Sequence, residues 1–308
     1  MRRMSVRKVL MLIGLTMTTL AAPAWGQYES KGQGRTCSYS FSYTPIYQFE
    51  TDLDRGGRFD VSHHYLRLNF VRPINRKLKL GLGLGYDFEK WNFSDLPDVA
   101  GASPWDALHR PAVSVPVLYA FADSWTFGIT PTIEYSGESG ADFGQSLIYG
   151  GIVSLAHHFS RNLYLGIGVG VFDQLEETSF FPFIIVNWKI NDKFQITNPY
   201  RAGPAGPAGL ELVYVPTENW ELGIGGAYRT YRFRLDDRNL VRNGVGENKF
   251  LVGFLRMQRK IGERLTIDLA GGGLFGGDLS IENEDGNEIE SDEYDPAPFL
   301  ALTFGDRF

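Results

Sequence analysis

Large apolar residues alternate with glycine or polar residues over many short stretches of this 308-residue chain. Residues 78–86 (LKLGLGLGY) and 163–171 (LYLGIGVGV) are near copies of each other, and related stretches begin at Trp125 and Trp220. A period of two residues is typical of a β-strand with one apolar face. Because the alternation recurs up to the C-terminus, it predicts an extensive sheet rather than a helical protein.

Short turns and longer loops separate these stretches in alternation. The six short turns carry turn-forming residues and lie at 72–76, 122–124, 160–162, 191–193, 216–219 and 260–263. The seven longer connections lie at 50–59, 90–109, 136–144, 173–178, 198–206, 236–246 and 278–295. Thirteen connections join fourteen strands, with 12 and 16 as the alternatives. An even number places both chain ends on the same side of a barrel.

The two faces of each strand differ in a way that indicates a membrane protein. In the stretch from Trp125 one face is large and apolar, whereas the other carries glycine, threonine and Glu134. A soluble β-sandwich, which would turn its apolar faces into a core, would show ordinary charged surfaces on the opposite faces. We therefore predict an all-β fold, a single transmembrane up-and-down antiparallel β-barrel with its apolar face in lipid. Trp125 and Trp220, the first outward residues after short turns, are the candidate aromatic girdle.

The N-terminus has the features of a secretory signal. Basic residues at positions 2, 3, 7 and 8 precede an apolar stretch at 9–20, and Ala24-Trp25-Gly26 offers a cleavage site before Gln27. The apolar stretch is shorter than the about 20 residues that a spanning helix needs. We predict a signal peptide at 1–26 and a barrel at 27–308. The single cysteine, Cys37, allows no internal disulfide and lies too far from the cleavage site for a lipid anchor.

Charge and hydropathy narrow the class of protein further. Without the four basic residues of the signal, 26 of the 30 Lys+Arg remain against 36 Asp+Glu, a net charge of −10. This acidic balance argues against a nucleic-acid partner, which requires a basic surface. The mean hydropathy is only −0.18. A membrane protein with so modest a value must be a barrel, because only alternate residues of its strands face lipid.

The last ten residues read FLALTFGDRF. They resemble the C-terminal strand of bacterial outer-membrane barrels, in which an aromatic last residue follows apolar residues at alternate positions. Leu300, Leu302, Phe304 and Phe308 match that pattern, whereas Asp306 stands where an apolar or aromatic residue is usual. The N-terminal signal, the repeated hairpins and the C-terminal strand together resemble those of outer-membrane barrel families without a defined activity. The resemblance implies an outer-membrane location, contact with lipid and lipopolysaccharide, and recognition of the last strand by the barrel-insertion machinery.

The usual sequence signatures of catalysis and cofactor binding are missing. The glycine runs at 81–85 and 166–170 lie in mid-strand, not at a turn that leads into a helix, so they do not predict a phosphate-binding loop. The adjacent histidines at 63–64 and 157–158 point to opposite faces of a strand and cannot share one metal ion. We predict no enzyme, cofactor or metal. A barrel hydrolase with rim residues such as Asp98, Asp106 and His109 is the third alternative.

The remaining candidates for function are polar residues on the face opposite the apolar one. The candidate lumen-lining residues are Arg67, Asn69, Lys79, Asp87, Glu134, Lys189, Glu211, Glu221, Arg229 and Asp268. Such mixed charges can line a water-filled path or pair and seal it. The leading hypothesis is a passive channel for small solutes, and the second is a closed barrel with a structural or surface-interaction role. The long loop at 90–109, which contains Trp105, is the candidate plug.

Overall fold

Each apolar alternation of the sequence forms a strand of one large antiparallel sheet. The computed structural model describes residues 37–97, 103–122, 124–198 and 209–307. The predicted signal peptide at 1–26 and the terminal Phe308 therefore lie outside the described residues. Within these ranges, no helix is long and apolar enough to cross a membrane.

Fourteen strands run up and down around a closed barrel. They are β1 (Ser38–Asp52), β2 (Arg58–Pro73), β3 (Leu78–Ser94), β4 (Ala107–Ser114 and Val117–Ala120), β5 (Trp125–Tyr135, with the short extension Gly137–Glu138), β6 (Leu147–Ser160), β7 (Leu163–Gln174), β8 (Glu177–Lys189), β9 (Phe194–Thr197), β10 (Leu210–Thr217), β11 (Trp220–Arg234), β12 (Val245–Ile261), β13 (Leu265–Glu282) and β14 (Glu288–Tyr294 and Ala297–Arg307). The first strand closes the circle, because Tyr43 of β1 pairs with Leu66 of β2 on one side and with Phe304 of β14 on the other. The predicted fold class and strand number are confirmed.

The connection at 173–178 differs from its prediction as a long loop. Strand β7 continues to Gln174 and β8 begins at Glu177, so only Leu175 and Glu176 form the turn. Both residues have positive φ angles, 46° and 72°. Two consecutive left-handed residues make the primed turn type whose twist matches that of the flanking strands. The polar composition of this segment therefore reflects two strand ends and a tight turn.

The outer surface of the barrel is apolar. On β5, Phe127, Ile129 and Ile133 are exposed, whereas Thr130 and Glu134 on the opposite face are buried. Exposed leucine, isoleucine, valine and aromatic side chains recur in this way on all sides of the barrel. A soluble protein rarely exposes a continuous apolar surface of this extent. The outer face is therefore the lipid-facing surface, and the buried face points into the lumen.

The short-turn end of the lipid-facing surface carries the aromatic residues that the sequence singled out. Trp125 begins β5 and is exposed, while Trp220 begins β11 with the Arg259 guanidinium 5.2 Å from its ring centroid. On β14, Leu300 and Phe304 are exposed and Leu302 is half-buried, so the described part of the C-terminal pattern lies on the outer face.

Glycines on the inner face make room for large side chains of neighbouring strands. Gly168 and Gly170 of β7 pair with Phe183 and Phe181 of β8. A Cβ atom at either glycine would collide with the facing phenyl ring. The rings therefore lie flat against the wall instead of pointing to the barrel axis. At Gly168 and Gly170, glycine is thus the residue that leaves room for an aromatic ring of the next strand.

Candidate functional site

The mouth of the barrel at the long-loop end is crossed by one of its own hairpins. Strand β10 pairs with β11 only as far as Gly226, whereas β11 and β12 stay paired up to Arg234 and Val245. We call residues 229–250, the outer parts of β11 and β12 with their loop, the crossing hairpin. Its tip pairs in parallel with the extension of β5 through Arg234 and Gly137. Because β5 and β11 lie nearly opposite each other in the fourteen-strand circle, the hairpin spans the mouth.

Backbone and hydroxyl contacts fix the tip of the crossing hairpin on the far wall. The Arg234 N–H donates to the Ser136 carbonyl at 3.0 Å, and the Ser136 hydroxyl donates to the Arg232 carbonyl at 2.7 Å. All residues from 229 to 236 are buried. Burial on both faces explains why apolar and polar residues no longer alternate along residues 228–235.

An aromatic cluster fills the space on one side of the crossing hairpin. Phe233 of the hairpin makes an edge-to-face contact with Trp105, with ring centroids 5.0 Å apart. Trp105 in turn contacts Trp91 and Phe93 of β3, each at 5.4 Å. The side chains of Trp105 and Phe233 are 2% and 0% exposed. Among the described residues, the loop predicted to act as a plug contributes Trp105, which packs on the crossing hairpin.

The other side of the crossing hairpin is closed by aliphatic and aromatic side chains of β6 to β8. Val245 of the hairpin is fully buried against a cluster that contains Ile148, Phe172, Leu175 and Phe181. Apolar contacts thus pack the crossing hairpin against the wall on both of its sides.

Two arginines of the crossing hairpin tie it to the surrounding loops. Arg232 donates to Glu282 at 2.6 and 2.9 Å and to the Leu175 carbonyl at 3.1 Å. Arg234 donates to the carbonyls of Gln145 (3.1 Å) and Asn243 (2.6 Å) and forms an ion pair with Glu176. These contacts join the crossing hairpin to the β5–β6 and β7–β8 connections and to the end of β13. A planar guanidinium with five N–H donors can bond several acceptors in this way.

Glu138 accepts hydrogen bonds from two loops beside the tip of the crossing hairpin. Its carboxylate accepts hydrogen bonds from the backbone N–H groups of Asp106 (3.0 Å) and Asp236 (2.9 Å) and from the Asn239 amide (3.1 Å). Burial raises the pKa of Glu138, and these donors offset only part of the rise. The neighbouring Asp236 behaves oppositely, because its hydrogen bond with Arg238 lowers its pKa to about 2.

A layer of charged side chains lies just below the aromatic cluster, on β2 to β5. Asp87 forms a bidentate ion pair with Arg67, whose second bond is 2.7 Å, and Glu89 pairs with Arg110. We call Arg67, Asp87, Glu89, Arg110 and Glu134 the upper cluster. The Arg110 guanidinium also lies 4.6 Å from the ring centroid of Tyr231. This cation–π contact joins the wall to the crossing hairpin.

A second charged layer lies nearer the short-turn end, on β10 to β13. Arg256 donates to Glu211 at 2.6 Å and to Asp268 at 3.0 Å, and Lys260 lies 2.8 Å from Glu221. We call Glu211, Glu221, Arg256, Lys260 and Asp268 the lower cluster. The interior therefore presents charge of both signs on two walls below the crossing hairpin.

The structure gathers most of the predicted lumen residues into these two clusters. Arg67, Asp87, Glu134, Glu211, Arg229 and Asp268 are buried, Asn69, Lys79 and Glu221 are half-buried, and Lys189 is exposed. Sequence reasoning missed Glu89, Arg110 and Arg256. The first two lie directly beside the segment 90–109 that was predicted as a loop, although β3 continues to Ser94 and β4 begins at Ala107. Arg256 lies in residues 251–259, in which both faces are apolar near the start, so the sequence alone assigns no face to it.

The residues considered for catalysis or metal binding contact other side chains of the wall. His109 lies on β4, not in a loop, and contacts the Tyr86 hydroxyl at 2.8 Å and the Ser139 hydroxyl at 2.9 Å. Asp106 forms an ion pair with Lys90, and Asp98 lies outside the described residues. In the part of the chain that the structure describes, no group of three or more His, Cys, Asp or Glu residues is arranged to hold a metal ion.

The model of one protein family matches residues 127–292, more than half of the chain, which run from the start of β5 into β14. It is described as a domain of unknown function, DUF6268. The chain belongs to the DUF6268 family. None of the curated proteins compared with this DUF6268 barrel matches it.

Solved structures resemble this DUF6268 chain in fold. The COG4313 outer membrane channel from Pseudomonas putida F1 is 12% identical, with a TM-score of 0.48 over 92% of this chain and 98% of that one. The P. putida toluene transporter TodX is 8% identical, with a TM-score of 0.43 over 89% and 91%. The KdgM porin, solved with disordered oligogalacturonate, is 10% identical, with a TM-score of 0.33 over 86% and 98%. At these values the likeness is one of overall barrel shape.

Proposed function

We propose that the protein is an outer-membrane channel for small solutes, closed by the crossing hairpin and opened when the hairpin leaves the far wall. This proposal rests on the way in which the crossing hairpin is attached to the barrel. The hairpin continues two barrel strands but is attached to the opposite wall by one backbone bridge and a small set of side chains. A barrel of fourteen strands is wider than the eight whose side chains fill the interior, so an open lumen is expected when the hairpin moves.

The position of the chain ends supports an orientation. An even number of strands leaves both ends at the short-turn side, which in outer-membrane barrels faces the periplasm. The crossing hairpin and the long loops then face the cell exterior, next to lipopolysaccharide. The last strand, with Leu300, Leu302 and Phe304 on its outer face, is the proposed contact of the insertion machinery.

The interior supports passage of polar solutes. Below the closure, the upper and lower clusters place carboxylates and guanidinium groups on two walls. Charged side chains that line a water-filled pore set its ion selectivity. Lys79, half-buried on β3 near the short-turn end, extends the charged lining toward the proposed periplasmic opening.

A second candidate function is a closed barrel that acts through its long loops or as a structural protein. The burial of side chains at the mouth favours it, since Phe233, Val245 and Trp105 are at most 2% exposed. In that case the hairpin is a permanent part of the fold and the charged clusters serve stability alone.

Conductance of the refolded mature protein (residues 27–308) in a planar bilayer separates the two candidates. We expect discrete current steps whose ion selectivity changes when Lys79 or Glu134 is replaced by glutamine. A correctly inserted barrel that stays silent at all voltages and in which both variants change only the free energy of unfolding would refute the channel proposal.

A further inference from the structure

A cavity lies at the long-loop end of the barrel, between the loop of the crossing hairpin and the connection from β13 to β14. Its volume is about 510 Å³, which is within the range of pockets that hold small molecules. We call it the rim cavity. Its lining residues are Asp237, Arg242, Asn243, Asn283, Glu284 and Asp285. Each of them is charged or carries an amide, so a ligand that fits this cavity must carry charged or polar groups.

Backbone contacts hold the two walls of the rim cavity side by side. Val245 of the crossing hairpin pairs with Glu282 at the end of β13. The preceding Gly244 lies so close that a Cβ atom there would collide with the Glu282 carbonyl oxygen. On the other wall, the Asn283 Oδ1 atom accepts a hydrogen bond from the Asp285 N–H at 3.0 Å and so fixes the turn. The cavity is therefore formed by two connected walls and not by two independent loops.

Arg242 supplies hydrogen-bond donors to the rim cavity. Its Nε–H donates to the Asp237 carbonyl at 2.8 Å, which holds one edge of the guanidinium. Among the described residues, none accepts a hydrogen bond from its two terminal amino groups. A guanidinium with free terminal groups is the preferred partner of a carboxylate, which it can bind through two parallel hydrogen bonds.

The other lining residues offer acceptors. The Oδ1 atom of Asn243 is buried, and no described residue donates a hydrogen bond to it. An acceptor that is buried and unbonded is costly. Glu284 and Asp285 are exposed, and no cationic group of the described residues lies within ion-pair distance of either carboxylate. Acceptors without a donor suit an ammonium group, which has three N–H donors and no acceptor.

The combination of one guanidinium with several acceptors selects among possible occupants. No group of three acidic side chains in the described part of the chain is arranged to hold a metal ion. A simple anion would bind Arg242 but would face three carboxylates. A diamine would leave the guanidinium unbonded. A molecule with one carboxylate and two ammonium groups matches the free guanidinium, the two free carboxylates and the amide oxygen.

We propose that the rim cavity binds a basic α-amino acid, whose carboxylate pairs with Arg242 and whose ammonium groups bond Asn243, Glu284 and Asp285. Such a ligand contacts both walls of the cavity. The Asn243 carbonyl also accepts a hydrogen bond from Arg234, which attaches the crossing hairpin to the far wall. The bound amino acid therefore stabilises the hairpin in this position. Only this effect on the hairpin rests on the proposed channel function, whereas the binding site does not.

Urea unfolding of the refolded mature protein in detergent tests the site without requiring conduction, because a ligand that binds only the folded state stabilises it. The probes, at pH 7.5 and equal ionic strength, are L-lysine, L-norleucine, which lacks the side-chain ammonium, and cadaverine, which lacks the carboxylate. We expect L-lysine to raise the urea midpoint at concentrations at least tenfold lower than either analogue.

Two variants of exposed residues assign the effect to the rim cavity. Arg242→Gln should abolish the advantage of L-lysine over cadaverine, and the double variant Glu284→Gln with Asp285→Asn should abolish its advantage over L-norleucine. Glu218→Gln, an exposed residue at a short turn, is the matched control and should respond like the wild type. The midpoint of each variant without ligand shows that it folds.

Any order of affinity in which L-lysine is not the tightest of the three ligands would overturn the proposal. An unchanged midpoint in L-lysine would do so as well, and so would a response of Arg242→Gln to L-lysine that equals that of the wild type.

Failure of the site and failure of the channel give different results. A silent barrel that L-lysine stabilises through Arg242 keeps the site and refutes the channel. A conducting barrel whose midpoint is indifferent to L-lysine keeps the channel and refutes the site. In a barrel that conducts and binds, L-lysine on the long-loop side should lower the open probability of the wild type but not that of Arg242→Gln; an unchanged open probability would refute the effect on the hairpin.

Discussion

Removal of the Trp105 side chain should open the barrel. Trp105 lies in the connection between β3 and β4, so Trp105→Ala removes no strand residue and leaves the lipid-facing surface intact. Its ring is 2% exposed and contacts Phe233 of the crossing hairpin as well as Trp91 and Phe93 of the wall. Truncation of a buried tryptophan to alanine costs about 3–5 kcal/mol.

If the crossing hairpin leaves the wall during opening, the loss of the Trp105 contacts destabilises the closed state and not the open one. Since about 1.4 kcal/mol corresponds to a tenfold change in an equilibrium, the ratio of open to closed barrels should rise about a hundredfold to a few thousandfold. Single-channel recording of the refolded protein measures this ratio as the open probability. Trp188→Ala is the matched control, because Trp188 is exposed on the lipid face of β8.

An unchanged open probability of Trp105→Ala would refute this reasoning. If Trp105→Ala inserts normally and its open probability equals those of the wild type and of Trp188→Ala, the aromatic cluster does not control passage. The mouth would then be either permanently closed or opened by a movement that leaves Trp105 in place.

Three further perturbations test other parts of the closure and the wall. Arg234→Gln removes hydrogen bonds from a charged donor, each worth about 1.5–3 kcal/mol, and should raise the open probability at least tenfold; an unchanged value would show that these bonds do not hold the hairpin. Because burial raises the pKa of Glu138 above its ordinary value of 4.5, the closed state takes up the proton more readily than the open state. Lowering the pH from 7 toward 4.5 should therefore favour closure, raising it through the elevated pKa should lose that stabilisation, and Glu138→Gln should respond to neither; a pH response retained by that variant contradicts the assignment. Gly170→Ala, whose Cβ would collide with a phenyl ring, should lower the free energy of unfolding by about 1–3 kcal/mol, whereas Gly271→Ala, whose Cβ meets its nearest neighbour at 3.5 Å, should be neutral in the same urea titration.

The barrel itself could be predicted from the sequence because its physical cause is local. A strand between lipid and lumen must alternate, and each reversal of direction needs turn residues, so counting turns gave fourteen strands. The faces of β5 follow from the same alternation, from Trp125 to Glu134. The two-residue turn at Leu175 and Glu176 was not predicted, because its two left-handed residues are not glycine or asparagine, which favour that conformation.

The closure could not be predicted, because it depends on contacts between distant parts of the chain. Arg234 meets Gly137 about a hundred positions earlier in the sequence, and Trp105 meets Phe233. Periodicity reports which face of a strand is apolar but not what lies across the lumen. The one trace in the sequence was the loss of a single apolar face at 228–235, which follows from burial on both sides.

The charged clusters were found only in part, for a related reason. Asp87 and Glu134 lie in strands of clear phase and were identified. Glu89 and Arg110 lie where β3 and β4 extend beyond the expected membrane segment. Arg256 lies on the inner face of β12, which near its start carries the apolar Phe250, Val252 and Phe254, so the two faces of this strand could not be told apart from the sequence.

Replacement of the crossing hairpin is the most direct test of the account. Tyr228 and Leu251 are paired in register, so an Asn-Gly turn in place of residues 229–250 closes a regular hairpin and leaves the rest of β11 and β12 unchanged. In a planar bilayer we expect this barrel to conduct continuously, whereas the wild type opens rarely. A shortened barrel that folds and inserts but passes no more current than the wild type would contradict the claim that this hairpin closes a channel.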